Sequence, residues 1–368
     1  MNLGIVGGGQ LGRMLALAAH PLGIHTRVLE PSERAPAAPV AGHVVGPYDD
    51  EAALERFVHA LDVVTYEFEN VPVESARRLA ARVPVRPGPA ALAASQDRVS
   101  EKTSFQDLTI PTTPFAQLDR RADLDAALDR LGAPLVVKTR RLGYDGKGQA
   151  IVRSADDAER VWQALGDRPL IAEGFVRFDR ELSILAARSV DGDVRCWPLF
   201  ENLHEGGILR RTIFPAPRVD PRMQREAEEY ARRLLESLDY VGVLALELFD
   251  VDGALLANEM APRVHNSGHV TIEGAETSQF ENHVRAVCGL PLGPVDPVGH
   301  AVMVNLIGTV PPISDLLRVP GAHVHLYGKA PRPGRKVGHV TVRGSDAAEV
   351  ARRAARLMRL AGGEHPGG

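Results

Sequence analysis

Glu247 stands between Leu246 and Leu248 in the strand-like apolar run Val243 to Phe249. A carboxylate inside such a run needs a partner, because burying an unpaired charge is costly. A second apolar run, Ala254 to Ala257, leads into Asn258-Glu259-Met260-Ala261-Pro262-Arg263-Val264-His265-Asn266-Ser267-Gly268-His269. Asp252-Gly253 lies between the two runs and marks a β-hairpin. Side chains alternate faces along a strand, so Glu247 and Glu259 share a face only if the loop holds an odd number of residues. The expected loop is therefore Val251 to Gly253, with Gly253 in the left-handed position. Two acids and an amide oxygen converging on one face form a hard-oxygen site suited to Mg²⁺ and phosphate. The plain alternative, a surface hairpin with solvated acids, fits the flanking leucines poorly.

The first 90 residues alternate short apolar strands with helices, the pattern of an open parallel α/β sheet. Strands are expected at residues 2–6, Thr26–Leu29, Val44-Val45, Val63–Thr65 and Val83–Val85, with helices at Glu51–Ala60 and Val73–Arg82. A boundary follows at Pro84–Pro89, then one helix from about Pro89 to Phe105. A small α+β unit comes next, with strands Leu135–Thr139, Gln149–Arg153 and Leu170–Glu173 and a helix near Ala155–Leu165. Antiparallel strands Glu181–Arg188 and Val194–Phe200 precede the hairpin. Asp220-Pro221 opens a helix to Leu238, and Ser278-Gln279-Phe280-Glu281 is a capping box for another ending at Gly289. The tail from Gly362 to Gly368 is expected to be disordered.

Three motifs carry chemistry. Gly7-x-Gly9-x-x-Gly12, with Glu30 closing the next strand, matches a dinucleotide fingerprint and supports a rival reading as an NAD-dependent oxidoreductase. The pattern requires only that a helix N-terminus approach an anion, and it leaves everything after residue 95 unexplained. Lys138 at a strand end, followed by Gly143-Tyr144-Asp145-Gly146-Lys147-Gly148-Gln149, suits a mobile phosphate-binding loop. It is not a Walker loop, since Gly-Lys-Ser/Thr is absent. Lys329, Arg332, Arg335 and Lys336 form a basic segment fitted to a phosphate monoester. Arg98 and Lys102, one helical turn apart, either face a phosphate or are solvated. Glu69 sits just beyond a parallel strand, where such sheets bind ligands.

Composition narrows the class. Of 43 basic Lys and Arg residues only five are lysine, and four of those fall in glycine-rich, loop-like segments. A net charge of −4 argues against a general nucleic-acid or membrane binder. No apolar run approaches the ~20 residues of a membrane span, and the N-terminus lacks a signal peptide, so a cytoplasmic protein is expected. Cys196 and Cys288 offer neither a disulfide framework nor metal spacing.

Lys138, the glycine loop, Glu247 and Asn258-Glu259 fall in the order of the ATP-grasp superfamily. Within it, Gly-Gly-Gly-Gln-Leu-Gly, Asn-Glu-Met-Ala-Pro-Arg-x-His-Asn-Ser-Gly-His, Thr-Ser-Gln-Phe-Glu-Asn-His and Gly-Arg-Lys-Val-Gly-His resemble the N5-carboxyaminoimidazole ribonucleotide synthases. The resemblance implies an α/β ATP-grasp fold of three domains. These would be an N-terminal parallel sheet over residues 1–95, a small α+β lid over 96–175, and a larger antiparallel α+β part over 176–368. It implies ATP- and bicarbonate-dependent carboxylation of 5-aminoimidazole ribonucleotide by a homodimer. Arg98, Lys138, residues 143–149, Glu173, Gly174, Phe175, Val176, Glu181, His204 and Asn258 would surround ATP. Glu247 and Glu259 would hold Mg²⁺. Gln10, Leu11, Glu69, Asn266, Lys329, Arg335 and Lys336 would contact the ribonucleotide. Arg263, Asn266 and Glu259 would serve the chemistry, with Arg263 holding bicarbonate as a planar anion. From residues alone, a formate-using ribonucleotide ligase shares the same metal acids and phosphate loop.

Overall fold

The computed structural model describes residues 1–143 and 148–362. Four parallel strands, β1 (Asn2–Val6), β2 (His25–Glu30), β3 (Gly42–Val45) and β4 (Val63–Tyr66), form the first sheet in the order β3-β2-β1-β4. A second sheet contains β5 (Phe115–Leu118), β6 (Leu135–Thr139), β7 (Gln149–Val152) and β8 (Leu170–Gly174), ordered β5-β8-β6-β7 and antiparallel throughout. The third sheet is antiparallel and has nine strands. They are β9 (Arg180–Arg188), β10 (Val194–Cys196), β11 (Phe200–Glu205), β12 (Ile208–Phe214), β13 (Gly242–Val251), β14 (Ala254–Ala261), β15 (His300–Ile307), β16 (Ala322–Leu326) and β17 (Lys336–Gly344). Its order is β14-β13-β9-β11-β12-β15-β17-β16, with β10 paired to β9.

Local chemistry explains the element ends. Asp50, Asp97, Ser154, Asp220, Ser278 and Asp346 each accept a backbone N–H at a helix start, which satisfies donors that have no intrahelical partner. Three expected elements differ. The helix expected over Pro89–Phe105 is two helices, Pro89–Ser95 and Arg98–Asp107, because Asp97 takes an extended backbone and caps the second. The strand expected over Val194–Phe200 is broken after Cys196, where Pro198 has no N–H for a ladder. Val83–Val85 makes only an isolated bridge, Val64 to Val85. The expected tail, Gly362 to Gly368, lies outside the described residues beyond Gly362.

The first and third sheets share a core. Leu3, Ile5 and Leu15 pack in one buried cluster with Leu185, Val243, Phe280 and Val284. The helix Gln10–Ala19 lies against the helix Gln279–Val287. His283, fully buried, bridges the two sheets. The Val243 N–H donates to its Nδ1 at 3.1 Å, so Nε2 carries the proton and donates to Thr65 Oγ1 at 2.8 Å. Among the described residues no helix is long and apolar enough to cross a membrane.

Burial pushes the His283 imidazole down to about 3, so folding holds it neutral. The unfolded chain regains an ordinary histidine and takes up a proton as pH falls below about 6.5. This histidine's contribution is therefore intact above that value and is lost on acidification towards 3, at roughly 1.4 kcal/mol per pH unit. Urea unfolding at pH 7 and pH 5 should show a smaller acid loss in His283→Gln than in the parent protein. An equal loss in both would remove His283 from the acid response.

Candidate active site

The hairpin solves its parity problem differently from the sequence expectation. The turn has two residues, Asp252 and Gly253, both in the left-handed region at φ 51° and 84°. Val251 pairs directly with Ala254, so the expected three-residue loop is not formed. Such a turn matches the twist of the flanking strands when both central residues accept positive φ. The ladder then slips by one residue: Leu248 pairs with Ala257, but Glu247 pairs with Glu259. Asn258 is the extra residue of a β-bulge. Glu247 and Glu259 consequently stand side by side on one face.

Their surroundings drive the two acids apart. Burial and the neighbouring Glu259 push the Glu247 carboxyl up to about 7. Burial acts on Glu259 in the same sense, yet the Arg98 guanidinium, 2.7 Å away, overrides it and holds that carboxyl at about 2. His265 Nε2 lies 3.3 Å from Glu247, while burial and the Arg263 charge press its imidazole down to about 3. The ring facing Glu247 is thus neutral, and the contact is not a full ion pair. On the adjoining strands, His204 Nδ1 meets Glu181 Oε2 at 2.7 Å. Burial disfavours charge on His204, but that carboxylate raises its pKa overall.

Lys138 closes the cleft from the second sheet and donates to Glu173 at 2.9 Å. Glu173 is only 4 % exposed and also faces Lys102 at 3.5 Å. Lys102 is 1 % exposed, which sets aside both expectations for it: it neither reaches the cleft nor is solvated. Its ammonium donates to the Asn258 carbonyl at 3.0 Å and to Thr112 Oγ1 at 3.2 Å.

At the N-terminal end the glycine motif is already filled. Glu67 accepts the Gly9 and Gly12 N–H groups, both at 2.5 Å, and Glu30 accepts the Gly8 N–H at 3.0 Å and the Tyr48 hydroxyl at 2.7 Å. A Cβ at Gly9 would fall 2.4 Å from Glu67 Oε1. Glu67 thus takes the amides that a dinucleotide's pyrophosphate would need, and Glu30, the acid that would hold its ribose, is engaged with Gly8 and Tyr48, which counts against the oxidoreductase reading. Gln10, next in the chain, accepts a hydrogen bond from Lys329. Glu69 pairs with Arg263 Nε at 2.5 Å, and that guanidinium holds the Glu69 carboxyl down against its burial. Asn266 exchanges hydrogen bonds with Asn305, at 2.7 and 3.2 Å.

These groups line one cleft of about 600 Å³. Gln10, Leu11, Glu69, Arg98, Lys138, Gly143, Gln149, Glu181, His204, Glu247, Asn258, Glu259, Arg263, Asn266 and Lys336 all face it. Lys329 joins through Gln10. Arg335 instead donates to the Ala330 carbonyl within its own loop, and Glu173 stands behind Lys138. Gly174, Phe175, Val176 and Gly148 do not line the cleft, and Tyr144, Asp145, Gly146 and Lys147 lie outside the described residues. No motif in the sequence marks Glu67, Glu101, His265 or Asn305 for a role in the site. Glu101 had a readable signal, since it falls on the same helical face as Arg98 and Lys102.

Comparison with known proteins agrees with this architecture. Residues 1–96 match the ribonucleotide synthetase preATP-grasp domain, 103–280 the ATP-grasp domain, and 301–353 the phosphoribosylaminoimidazole carboxylase C-terminal domain. The N5-carboxyaminoimidazole ribonucleotide synthase of Pseudomonas aeruginosa is 50 % identical over 360 residues, covering 98 % of this chain and 99 % of its own. The solved N5-carboxyaminoimidazole ribonucleotide synthetase of Thermus thermophilus superposes with a TM-score of 0.95 at 57 % identity, covering 100 % of both chains. The Aspergillus clavatus synthase, solved with ADP and 5-aminoimidazole ribonucleotide, superposes with a TM-score of 0.92 at 32 % identity and 98 % coverage of each chain. Fold, motif order and full-length identity agree: the chain belongs to the N5-carboxyaminoimidazole ribonucleotide synthase family of the ATP-grasp enzymes.

Proposed function

We propose that this cleft joins bicarbonate to the amine of 5-aminoimidazole ribonucleotide at the expense of ATP, forming N5-carboxyaminoimidazole ribonucleotide, ADP and phosphate. One observation carries the reading: the bulge sets Glu247 and Glu259 side by side, opposite Arg98 and Lys138, in a cleft that also reaches Gln10, Glu69 and Lys336. A nucleotide end and a ribonucleotide end thus share one space. The relative solved with ADP and 5-aminoimidazole ribonucleotide supports that division.

Glu247 and Glu259 fit Mg²⁺. They are oxygen ligands, and burial together with the neighbouring Glu259 charge pushes Glu247 up to about 7, so a divalent cation between them would supply missing charge. When bound, Mg²⁺ would neutralise charge on the phosphate oxygens during phosphoryl transfer. Arg98 and Lys138 now hold carboxylates, and nucleotide phosphates would compete for the same N–H donors. Gly143 and Gln149, at the two ends of the glycine loop, would border the phosphates and Glu181 with His204 the ribose, while Glu173 would hold Lys138 from behind; Asn258 would stand beside the metal acids. Gln10, Leu11, Glu69, Asn266, Lys329 and Lys336 would take the ribonucleotide and Arg263 the bicarbonate, while Arg335 would steady its own loop. Phosphorylating bicarbonate makes carboxyphosphate, a mixed anhydride. The residues would exclude water from it and hold it beside the amine, since it hydrolyses readily.

ADP formation should require ATP, Mg²⁺, the ribonucleotide and bicarbonate together, with formate unable to replace bicarbonate. Turnover with formate alone would move the protein to the formate-using ligases. Glu259→Gln should retain the folded state by circular dichroism and lose about 10²–10³-fold in kcat, as expected when a charge facing the transferring phosphoryl group is removed. Near-normal rates at saturating Mg²⁺ would take Glu259 out of the metal site. The two ends of the cleft should also separate kinetically. Lys329→Ala should raise the KM for 5-aminoimidazole ribonucleotide about ten- to a hundredfold while sparing that for ATP, and Lys138→Ala should do the reverse. The opposite pattern would exchange the two binding ends.

A further inference from the structure

β14 is an edge strand, so half of its peptide groups point away from the sheet. The segment from Arg98 to Thr112 meets them. The Pro111 carbonyl accepts the Ala257 N–H at 2.7 Å, and Thr112 Oγ1 donates to the Ala257 carbonyl at 2.7 Å. The next three contacts come from one face of the helix Arg98–Asp107. Lys102 donates to the Asn258 carbonyl at 3.0 Å, Arg98 pairs with the Glu259 side chain at 2.7 Å, and Glu101 accepts the Met260 N–H at 2.7 Å. Three charged side chains at i, i+3 and i+4 thus grip three successive residues of the bulge.

The burial of two of them is unusual for a helix face. Glu101 is 2 % and Lys102 is 1 % exposed, where an amphipathic helix would carry apolar residues. Burying charges there costs stability unless each finds a partner; Lys102 has Glu173 and Thr112 beside it, and both residues also bond backbone groups on either side of Glu259. A bulge leaves its ladder locally disrupted, and outward polar groups in an interior need donors and acceptors. A regular strand would offer those groups at a different spacing.

We propose that Glu101 and Lys102 are positioning residues that hold the β-bulge at Asn258 in register, and so keep Glu259 beside Glu247 on the cleft face. This rests on the reading of Glu247 and Glu259 as the metal pair, but the backbone part can be tested without it. Glu101→Gln keeps an acceptor oxygen at the same reach. Glu101→Asp keeps the charge but withdraws the oxygen by one methylene. Lys102→Met keeps the stem and removes the donor.

Hydrogen exchange should show peptides spanning 255–261 exchanging at least tenfold faster in Glu101→Asp and Lys102→Met, with β13 unaffected and Glu101→Gln like the parent. In the same proteins, the Mg²⁺ concentration for half-maximal rate should rise about tenfold for Glu101→Asp and Lys102→Met. It should change less than threefold for Glu101→Gln, and the KM for the ribonucleotide should hold throughout. The order is diagnostic, because a role for the Glu101 charge alone would spare Glu101→Asp and damage Glu101→Gln. That reversed order, or unchanged exchange and Mg²⁺ dependence in folded Glu101→Asp and Lys102→Met, would overturn the proposal. Altered exchange with unaltered Mg²⁺ dependence would leave the clamp in place and instead remove Glu247 and Glu259 from the metal site.

Discussion

A pleated strand forbids Glu247 and Glu259 from sharing a face across a two-residue turn. The one-residue slip at Asn258 lifts that prohibition, and the rest of the cleft is arranged around it. The turn at Asp252-Gly253 sets an even count, the bulge restores the missing residue, and the helix Arg98–Asp107 meets the strand's outward groups. Without the slip, Asn258 would stand opposite Glu247 and Glu259 would turn towards the packed face. Leu255, Ala257 and Met260 occupy the buried side of this strand, so an acid placed there would be desolvated with no cation at hand.

The cleft is electrostatically self-contained. Arg98 faces Glu259, Lys138 faces Glu173, Arg263 faces Glu69, and Glu181 faces His204. Each pair satisfies a partly buried charge that would otherwise be expensive in the folded protein. Anionic ligands entering such a site exchange one anion for another, so binding need not create new buried charge. The same pairing makes the positions of these side chains depend on one another, which is how preorganisation is achieved without rigid covalent links.

Much of this was legible beforehand, and the exceptions have physical reasons. Leu135–Thr139 and Ala155–Leu165 follow directly from periodicity and a Ser154 cap. The hairpin was readable from Asp-Gly, but the bulge was not, because a ladder slip is a relation between two strands with little local signature. The parity argument found the right face for both acids and attached it to the wrong device. β15 and β17 escaped because Asn305, His339 and Thr341 are fully buried and interrupt the apolar pattern that marks a core strand. Lys102 was misplaced because its partner, Asn258, lies far along the chain and is a backbone carbonyl. Glu67, similarly, reads as one of several acids after a strand until its two oxygens are seen on Gly9 and Gly12.

That carboxylate has a consequence for how glycine-rich strand–turn–helix segments are interpreted. Burial raises the Glu67 pKa while the Gly12 and Gly9 amides draw it back, so the helix N-terminus has acquired its counter-anion from its own chain. A domain built this way has the backbone of a dinucleotide binder, with the amides that a pyrophosphate would need already taken. The distinguishing mark sits outside the motif, in an acid at the end of the neighbouring strand β4, whose register against β1 places it over the turn. Reprogramming such a domain to accept a dinucleotide would begin by evicting this internal tenant, and only afterwards by altering the glycines.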